Sequence, residues 1–232
     1  MVLFERGDLL ALDKPPGLSM ATSSRAGKSE EEIVARLLEA CDVVPTGRLF
    51  LVHRLDLGTS GVVLLAKSPE AHRILSRAFQ ERRVSKVYRA LVWGHPVPAR
   101  GRIDLALSRD PKDGRKMRVA KEGKPAATRY ETLRRYPSLA DLRLTPETGR
   151  THQIRVHLAA KGHPIAGDDF YGGAARWHGV KDRRRREALA QLTRPLLHAE
   201  RIAVPDLGVD VFASPPADYL DVLDALSGSK GP

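Results

Sequence analysis

Two short segments of this 232-residue chain carry side chains of the types that perform acid–base or nucleophilic chemistry. The first is HRLDLGTSG, in which Asp56 lies in a polar loop between the pairs His53-Arg54 and Thr59-Ser60. Such an acid can be structural, accepting hydrogen bonds from neighbouring hydroxyls or loop amides. It can also be a nucleophile or base at the mouth of a strand, where the loop glycines let a substrate approach the backbone. The loop by itself favours the structural interpretation.

The second segment is GRTHQIRVH. Thr151 is the predicted N-cap of a short helix over residues 152–161, in which His152 and Arg155 share a face. An arginine in the first turn does not suit the helix dipole, which prefers acids there. Its charge therefore indicates an anionic partner, either a phosphate or a carboxylate such as that of Asp56. An exposed arginine beside a structural histidine is the alternative.

The same residue types could hold a metal ion. Imidazole and carboxylate ligands are offered by His53, Asp56, His152 and His157. Their spacing matches no metal-binding motif, so we expect no metal. The single cysteine, Cys41, excludes an intrachain disulfide framework and any Cys-based zinc site. Motifs for a phosphate-binding loop, a dinucleotide site or a serine-hydrolase elbow are absent as well, so we expect no cofactor.

The charge of the chain favours a polyanionic partner. It has 39 Lys and Arg residues against 28 Asp and Glu, a formal net charge of +11. A basic surface that serves solubility is the alternative. Two basic runs, 115–118 and 183–186, are the candidate contacts to a nucleic-acid backbone. For the second run, a solvated helix face is the alternative. The amino terminus has early acids and no signal-peptide pattern, and no apolar run could span a bilayer, so we expect a cytoplasmic protein without membrane contact.

The hydrophobic pattern predicts an α+β domain, because strands arrive mostly in hairpin-like pairs with helices between them. The sheet should be mixed and largely antiparallel, with flanking helices. Residues 21–28 read as a loop, and segment 108–124 as either a hairpin arm or a flexible loop. The predicted strands are Leu9–Leu12, the run after HRLDLGTSG, 84–94, 127–136 paired with 140–147, and 194–205; the predicted helices begin at Ser29 and at Ser68-Pro69 and cover 152–161 and 181–191.

Five motifs occur together between Asp13 and Ile202. They are DKPPGLSM, HRLDLGTSGVVLLAKS, KVYRALVWG, GRTHQIRVHLAAKGHPIAGDDFYGG and LLHAERI. In order and spacing they resemble the RluA-type pseudouridine synthases, and the region of resemblance covers residues 8–213. The resemblance implies the pseudouridine synthase fold with a central RNA-binding cleft, in a single catalytic domain over residues 1–232 with a tail at 226–232. Because the first motif begins at Asp13, we expect no N-terminal S4 RNA-binding module, which is present in many relatives.

The resemblance also implies the reaction, which is isomerisation of uridine in RNA to pseudouridine without a cofactor or metal. Asp56 matches the essential aspartate of the family, and Arg155 the basic residue that pairs with it. Tyr88 matches the tyrosine that lies against the target base, and Arg54 an arginine that can enter the space left by a flipped nucleotide. The further expected RNA contacts are His53, Thr59, His152, Leu197, Arg115, Lys116 and Arg118.

Several alternatives stay open at this point. Asp56 could attack the ribose C1′, add to the base, or take a ribose proton. The RNA could be a stem-loop of ribosomal RNA, of transfer RNA, or of both, and the chain is expected to be a monomer. A second hypothesis is an RNA-binding or ribosome-assembly factor of the same fold, in which catalysis is secondary. A third is a metal-dependent nucleic-acid hydrolase.

Overall fold

A computed structural model describes residues 1–21, 29–45 and 47–228. The chain divides into two compact units, one of Met1–Lys86 with His198–Ser214 and the other of Val87–Leu197 with Pro215–Pro232. Within each unit a sheet packs against helices, and the strand pairs inside the two units are antiparallel in the described ranges, except for Ser60–Ala66 with Leu197–Val204. The fold is therefore of the α+β class that the sequence predicts.

The described residues contain twelve strands and five α-helices. The strands are β1 (Val2–Arg6), β2 (Leu9–Lys14), β3 (Phe50–Leu51), β4 (Ser60–Ala66), β5 (Ser85–Trp93), β6 (Arg100–Asp104), β7 (Leu107–Arg109), β8 (Met117–Val119), β9 (Ala127–Tyr136), β10 (Leu139–Pro146), β11 (Leu197–Val204) and β12 (Val209–Phe212). The helices are α1 (Glu30–Ala40), α2 (Pro69–Gln80), α3 (Gln153–Ala160), α4 (Arg183–Ala190) and α5 (Ala217–Ser227).

The first unit is built on the sheet order β1-β2-β4-β11, with β12 paired to β11 and β3 to β4. Every residue of β4 is buried, as expected for an apolar strand with neighbours on both sides. The parallel pairing of β4 with β11 brings Gly61 against Ala199. A Cβ at Gly61, whose φ is +112°, would lie 2.2 Å from the Ala199 carbonyl oxygen. This glycine therefore admits a neighbouring strand rather than a substrate.

Both helices of the first unit begin as their sequences predict. Ser29 caps α1 in a capping box with Glu32, and the Ser68 hydroxyl accepts the Ala71 amide at the start of α2. Helix α1 buries Ile33, Val34, Leu37 and Leu38, and α2 buries Ala71, Leu75 and Ala78, whereas Ile74 on α2 is exposed. Cys41 follows α1 as its C-cap and is buried, its thiol donating to the Asp13 carbonyl.

The second unit is built on the sheet order β5-β10-β9-β6 and a separate hairpin of β7 and β8. Side chains of β5 alternate between two cores, as its period-two pattern predicts. Ala90 and Val92 lie with Ile154 of α3 on one side, while Leu91 and Trp93 lie with residues of α4 and α5 on the other. The β7–β8 hairpin confirms the first of the two predictions for segment 108–124.

Some predictions at element ends are wrong. The N-cap of α3 is His152 rather than Thr151, and it makes no side-chain capping bond. His152 has φ +53°, so it lies before the helix and does not share a helical face with Arg155. Helix α5 continues through Ser227 with Leu226 buried, so a tail beginning at 226 starts too early. Neither α5 nor the short strands β1, β6 and β12 is predicted from the sequence.

Parts of two predictions lie outside the described residues. These are the loop at 21–28, apart from its first residue, and the tail after residue 228. Among the helices of the described ranges, none combines the length and the apolar character that crossing a bilayer requires.

Candidate active site

Arg155 is the most firmly held charged side chain among the predicted site residues. It lies in the first turn of α3 and is buried. Its Nε and Nη2 donate to the two carboxylate oxygens of Asp168 at 2.7 and 2.9 Å. Asp168 is fully buried and also accepts the main-chain amides of Phe170 and Tyr171. This fork-to-fork geometry fixes both the position and the plane of the guanidinium.

Asp168 is an anionic partner of Arg155 that the sequence analysis missed. The prediction named a phosphate or Asp56, although Asp168 lies within the quoted motif GHPIAGDDFYGG. The signal that could have found it is the glycine-bounded acid pair shortly after the helix. Which of the two acids is buried depends on the turn after α3, where the Gly173 and Ala174 amides donate to the Asp168 carbonyl.

Two aromatic rings cover the same guanidinium. The centre of the Phe170 ring lies 5.5 Å from the Arg155 Cζ, and that of Tyr171 lies 5.1 Å from it. The Tyr171 hydroxyl accepts the Met117 amide at 2.9 Å and lies 2.8 Å from the His152 Nδ1. Because this hydroxyl already accepts one bond, its own proton is available to His152 Nδ1. This hydrogen bond links His152 to Tyr171, which lies in the same turn as Asp168, the partner of Arg155.

The basic hairpin reaches this cluster through Phe170. The Arg115 Cζ and the Lys116 Nζ lie 5.6 and 5.4 Å from the centre of the Phe170 ring. Arg115 also pairs with Asp113, and this contact lowers the pKa of the Asp113 carboxyl to about 2. Arg118, on β8, is exposed. The second unit thus brings Arg155, His152 and the hairpin cations together around two aromatic residues.

The loop that carries Asp56 lies in the other unit and is held mainly by uncharged contacts. The His53 Nε2 accepts the Leu64 amide at 2.9 Å, and its ring stacks on Phe79 with centres 4.9 Å apart. Burial, and secondarily the charge of Lys86, lowers the pKa of His53 to about 3. A neutral ring is what an acceptor nitrogen requires, so His53 has a structural role in this loop.

The neighbours of Asp56 further define the loop. The Thr59 amide donates to the Asp56 carbonyl at 3.0 Å. The Asp56 side chain is half-buried, and Arg54 is exposed. The Thr59 hydroxyl is buried and has no hydrogen-bond partner within the described ranges.

Ser60 and His198 form a buried support beneath this loop. The Ser60 hydroxyl lies 3.0 Å from the His198 Nδ1, and the His198 Nε2 lies 2.9 Å from the Ala213 carbonyl. The carbonyl can only accept, so Nε2 carries the proton and Nδ1 accepts from Ser60. With both ring nitrogens bonded inside the protein, His198 has a structural role.

Two further predicted residues lie on strands of the second unit. Tyr88 is partly buried on β5, opposite Leu144 of β10, and packs against the same core as Ile154. Leu197 belongs to that core and is 3% exposed.

The predicted site residues therefore fall into two groups. Asp56, Arg54, His53 and Thr59 belong to the first unit; Arg155, Tyr88, His152, Leu197, Arg115, Lys116 and Arg118 belong to the second. The pairing of Asp56 with Arg155 stays a prediction.

The described ranges hold no grouping of three or more His, Cys, Asp or Glu side chains that could bind a metal ion.

Comparison with known proteins identifies the family. A family model described as RNA pseudouridylate synthase matches residues 8–160. The dual-specificity RNA pseudouridine synthase RluA of Escherichia coli O6:H1 is 38% identical over 223 residues, covering 94% of each chain. The protein of the same name from Escherichia coli K12 is 37% identical over the same share.

Solved structures of pseudouridylate synthases are also similar to this chain. The human protein RNA Pseudouridylate Synthase Domain Containing 4 superposes with a TM-score of 0.73 at 27% identity, covering 97% of this chain and 92% of that one. Human RNA Pseudouridylate Synthase Domain Containing 1 gives 0.72 at 27% identity, covering 100% and 96%. The chain belongs to the RNA pseudouridylate synthase family and is an isomerase that converts uridine in RNA to pseudouridine.

Proposed function

We propose that this enzyme modifies specific uridines in stem-loops of ribosomal RNA, transfer RNA or both, and that Asp56 is its catalytic carboxylate. The observation that carries the proposal is the match, over 94% of each chain and at 37 to 38% identity, to relatives named dual-specificity RNA pseudouridine synthases. The hairpin cations Arg115 and Lys116, held over Phe170, support an RNA substrate.

The reaction is an internal rearrangement, so atoms and charge balance without a second reactant. The bond between ribose C1′ and uracil N1 breaks, the uracil turns, and a bond from C1′ to C5 forms. The C5 proton departs and N1 gains one. Asp56 would assist either as a nucleophile or as a base, and both roles need a carboxylate held at a defined place. The hydrogen bonds of His53 and Thr59 hold the loop in one conformation, and this places the Asp56 carboxylate.

Arg155 would supply the positive charge that pairs with the Asp56 carboxylate. The bidentate contact with Asp168 fixes the plane of the Arg155 guanidinium, so this group cannot reorient towards a displaced carboxylate. In this proposal Asp168 is a positioning residue that acts on Asp56 only through Arg155.

A stacked uracil is out of reach, so the nucleotide must leave its stack before chemistry can begin. This step costs a few kcal/mol. The exposed Arg54 is suited to fill the vacated space, and the ring of Tyr88 to cover the extruded base. His152, Leu197 and Thr59 are proposed to line the site. We further propose one catalytic domain that acts as a monomer in the cytoplasm.

The test is Asp56→Asn, which keeps the size of the side chain and removes its charge. Tritium release from RNA labelled at uridine C5 should fall by at least about 10³-fold, the scale on which loss of a nucleophile or its partner acts. Thermal unfolding should be unchanged. The control is Asp221→Asn, which removes an exposed acid on α5 and should leave the rate intact. Full activity of Asp56→Asn would remove this residue from the mechanism.

A further inference from the structure

A dense group of cations lies outside the predicted site, between the GDDFYGG turn and β11. Residues 176–186, here called the 176–186 patch, contain six Lys and Arg residues and one acid, Asp182. Over the whole chain only 39 of 232 residues are Lys or Arg. The patch covers most of a 3-10 turn, Ala175–Gly179, and the first half of α4.

Intramolecular ion pairs neutralise only part of this charge. Arg183 pairs with Glu187 and Arg184 with Asp224, both at the protein surface. Asp182 is used as the N-cap of α4 and accepts the Arg185 amide. Within the described part of the chain, no carboxylate partners the remaining four cations. These are Arg176, Lys181, Arg185 and Arg186.

The contacts of those four are to neutral groups or to none. The Arg176 Nε donates to the Gly172 carbonyl at 3.0 Å, and Arg186 donates to the Val180 carbonyl. Arg176 and Lys181 are exposed. Charges left in this state are available to an external anion, because no internal acid has to be displaced.

A second arginine-rich surface in the same unit provides a contrast. Arg100 and Arg143 share Glu131, while Arg102 and Arg129 share Glu147. Four arginines on adjacent strands are thus compensated by acids of the sheet itself. The 176–186 patch has no comparable set of acids, although its cations are closer together along the chain.

The 176–186 patch is held in place by apolar packing against the core of the second unit. Trp177, Val180 and Leu189 pack into the core that also contains Tyr219 and Leu226 of α5. His178 is exposed, and its ring stacks on Trp177 with centres 3.7 Å apart. An exposed ring among uncompensated cations is the combination that binds single-stranded or looped nucleic acid, since the cations meet phosphates and the ring meets a base.

Helix stability does not account for Arg185 and Arg186, the two arginines of α4 that form no ion pair with another described residue. The first turn of a helix favours acids, and four arginines there oppose the dipole at a cost of a few tenths of a kcal/mol or more each. A sequence that served only the helix would place acids at these positions.

We propose that the 176–186 patch binds the sugar-phosphate backbone of the substrate RNA, away from the uridine being modified, with His178 against an unpaired base. This rests on the proposed function in that the RNA is the substrate. The patch would raise affinity and select RNAs long enough to reach it, without taking part in the chemistry.

The test uses a triple variant, Arg176→Gln, Lys181→Gln and Arg185→Gln. Arg186 and the ion-paired Arg183 and Arg184 are retained so that α4 keeps its contacts. The probe is fluorescein-labelled transfer RNA transcribed in vitro, followed by fluorescence anisotropy at several salt concentrations. We expect affinity at 0.1 M salt to fall roughly ten- to hundredfold, and the slope of log Kd against log salt to decrease by about 2 to 3. Thermal unfolding should not change.

The control removes the same charge from scattered positions, with Arg36→Gln, Arg82→Gln and Arg135→Gln. These three arginines are exposed. An equal loss of affinity in the control would overturn the proposal, because net charge alone would then explain the effect. Unchanged RNA affinity in the patch variant would overturn it as well and leave a protein partner as the occupant. Patch-dependent binding by a chain that forms no pseudouridine would refute the proposed function and leave this inference standing.

Discussion

The loop that carries Asp56 and the first turn of α3, which carries Arg155, hold their charged residues by different means. In the loop, the supports are a neutral imidazole and main-chain amides, which fix the backbone around Asp56. At the turn, the support is a buried carboxylate, which fixes the guanidinium group itself. Hydrogen bonds from uncharged groups position the backbone of Asp56, whereas the bidentate ion pair orients the guanidinium group of Arg155 itself. The two regions should therefore fail differently when their supports are removed.

The largest effect is expected from Asp168→Ala. It leaves the Arg155 guanidinium buried without its bidentate partner, and breaking such a pair costs about 3 to 5 kcal/mol of unfolding free energy. Pseudouridine formation should fall with it, as measured by tritium release at a temperature where the variant is still folded.

Asp218→Ala is the matched control for that change. Asp218 also binds an arginine through both oxygens, Arg194, but its side chain is 45% exposed. The remaining arginine can gain water, so the loss of stability should be clearly smaller and the catalytic rate unchanged. Equal losses in the two variants would mean that the Arg155–Asp168 pair has no special role.

His53 should make the stability of the first unit depend on pH. Its pKa is about 3 in the folded chain and lies near 6.5 in an unfolded one. Above pH 6.5 its contribution is complete. As the pH falls from 6.5 to 3, the unfolded chain binds a proton that the folded chain does not, and the unfolding free energy decreases by up to about 1.4 kcal/mol per pH unit.

His53→Gln isolates this contribution, because glutamine can still accept the Leu64 amide and does not titrate. Urea unfolding at a series of pH values should give a shallower decline for the variant than for the wild type. Identical declines would contradict the buried neutral state. A loss of RNA affinity without any change in pH dependence would instead support the predicted RNA contact of His53.

Phe170→Leu should loosen the link between the basic hairpin and Arg155. The ring lies near three cations, and each such contact is worth about 0.5 to 1 kcal/mol at a partly exposed site. We expect KM for RNA to rise roughly three- to tenfold, with a smaller change in kcat. Phe212→Leu, on an exposed ring of β12, is the control and should change neither constant.

The smallest effect on stability is expected from Thr59→Val. Its buried hydroxyl has no partner in the described residues, so a methyl group of the same shape should leave the unfolding free energy unchanged or raise it by up to about 1 kcal/mol. The control Thr128→Val removes a hydroxyl that contacts both His157 and Gln153, and it should be destabilising. Weaker RNA binding by a stable Thr59→Val chain would support the predicted contact at this residue.

The elements that the sequence predicts correctly are those specified by nearby residues. Capping residues mark the start of α1 and α2, and the alternation along β5 separates its two cores. The start of α3 is different. Thr151 is a suitable cap by type, but the chain enters the helix through a left-handed His152 whose ring is bound by Tyr171. A contact across 19 residues overrides a local preference there.

The sequence alone determines the family of this protein, because its motifs and their order are local patterns that do not depend on how the chain returns on itself. It also determines the candidates Asp56, Arg155 and Tyr88. Only the tertiary structure decides that Arg155 is held by Asp168, that His53 is a neutral support, and that Gly61 admits the backbone of Ala199. Each of these depends on a distance between segments far apart in sequence. Such distances follow from the packing of the whole chain, since burial determines which acid must find a partner and which backbone must come close.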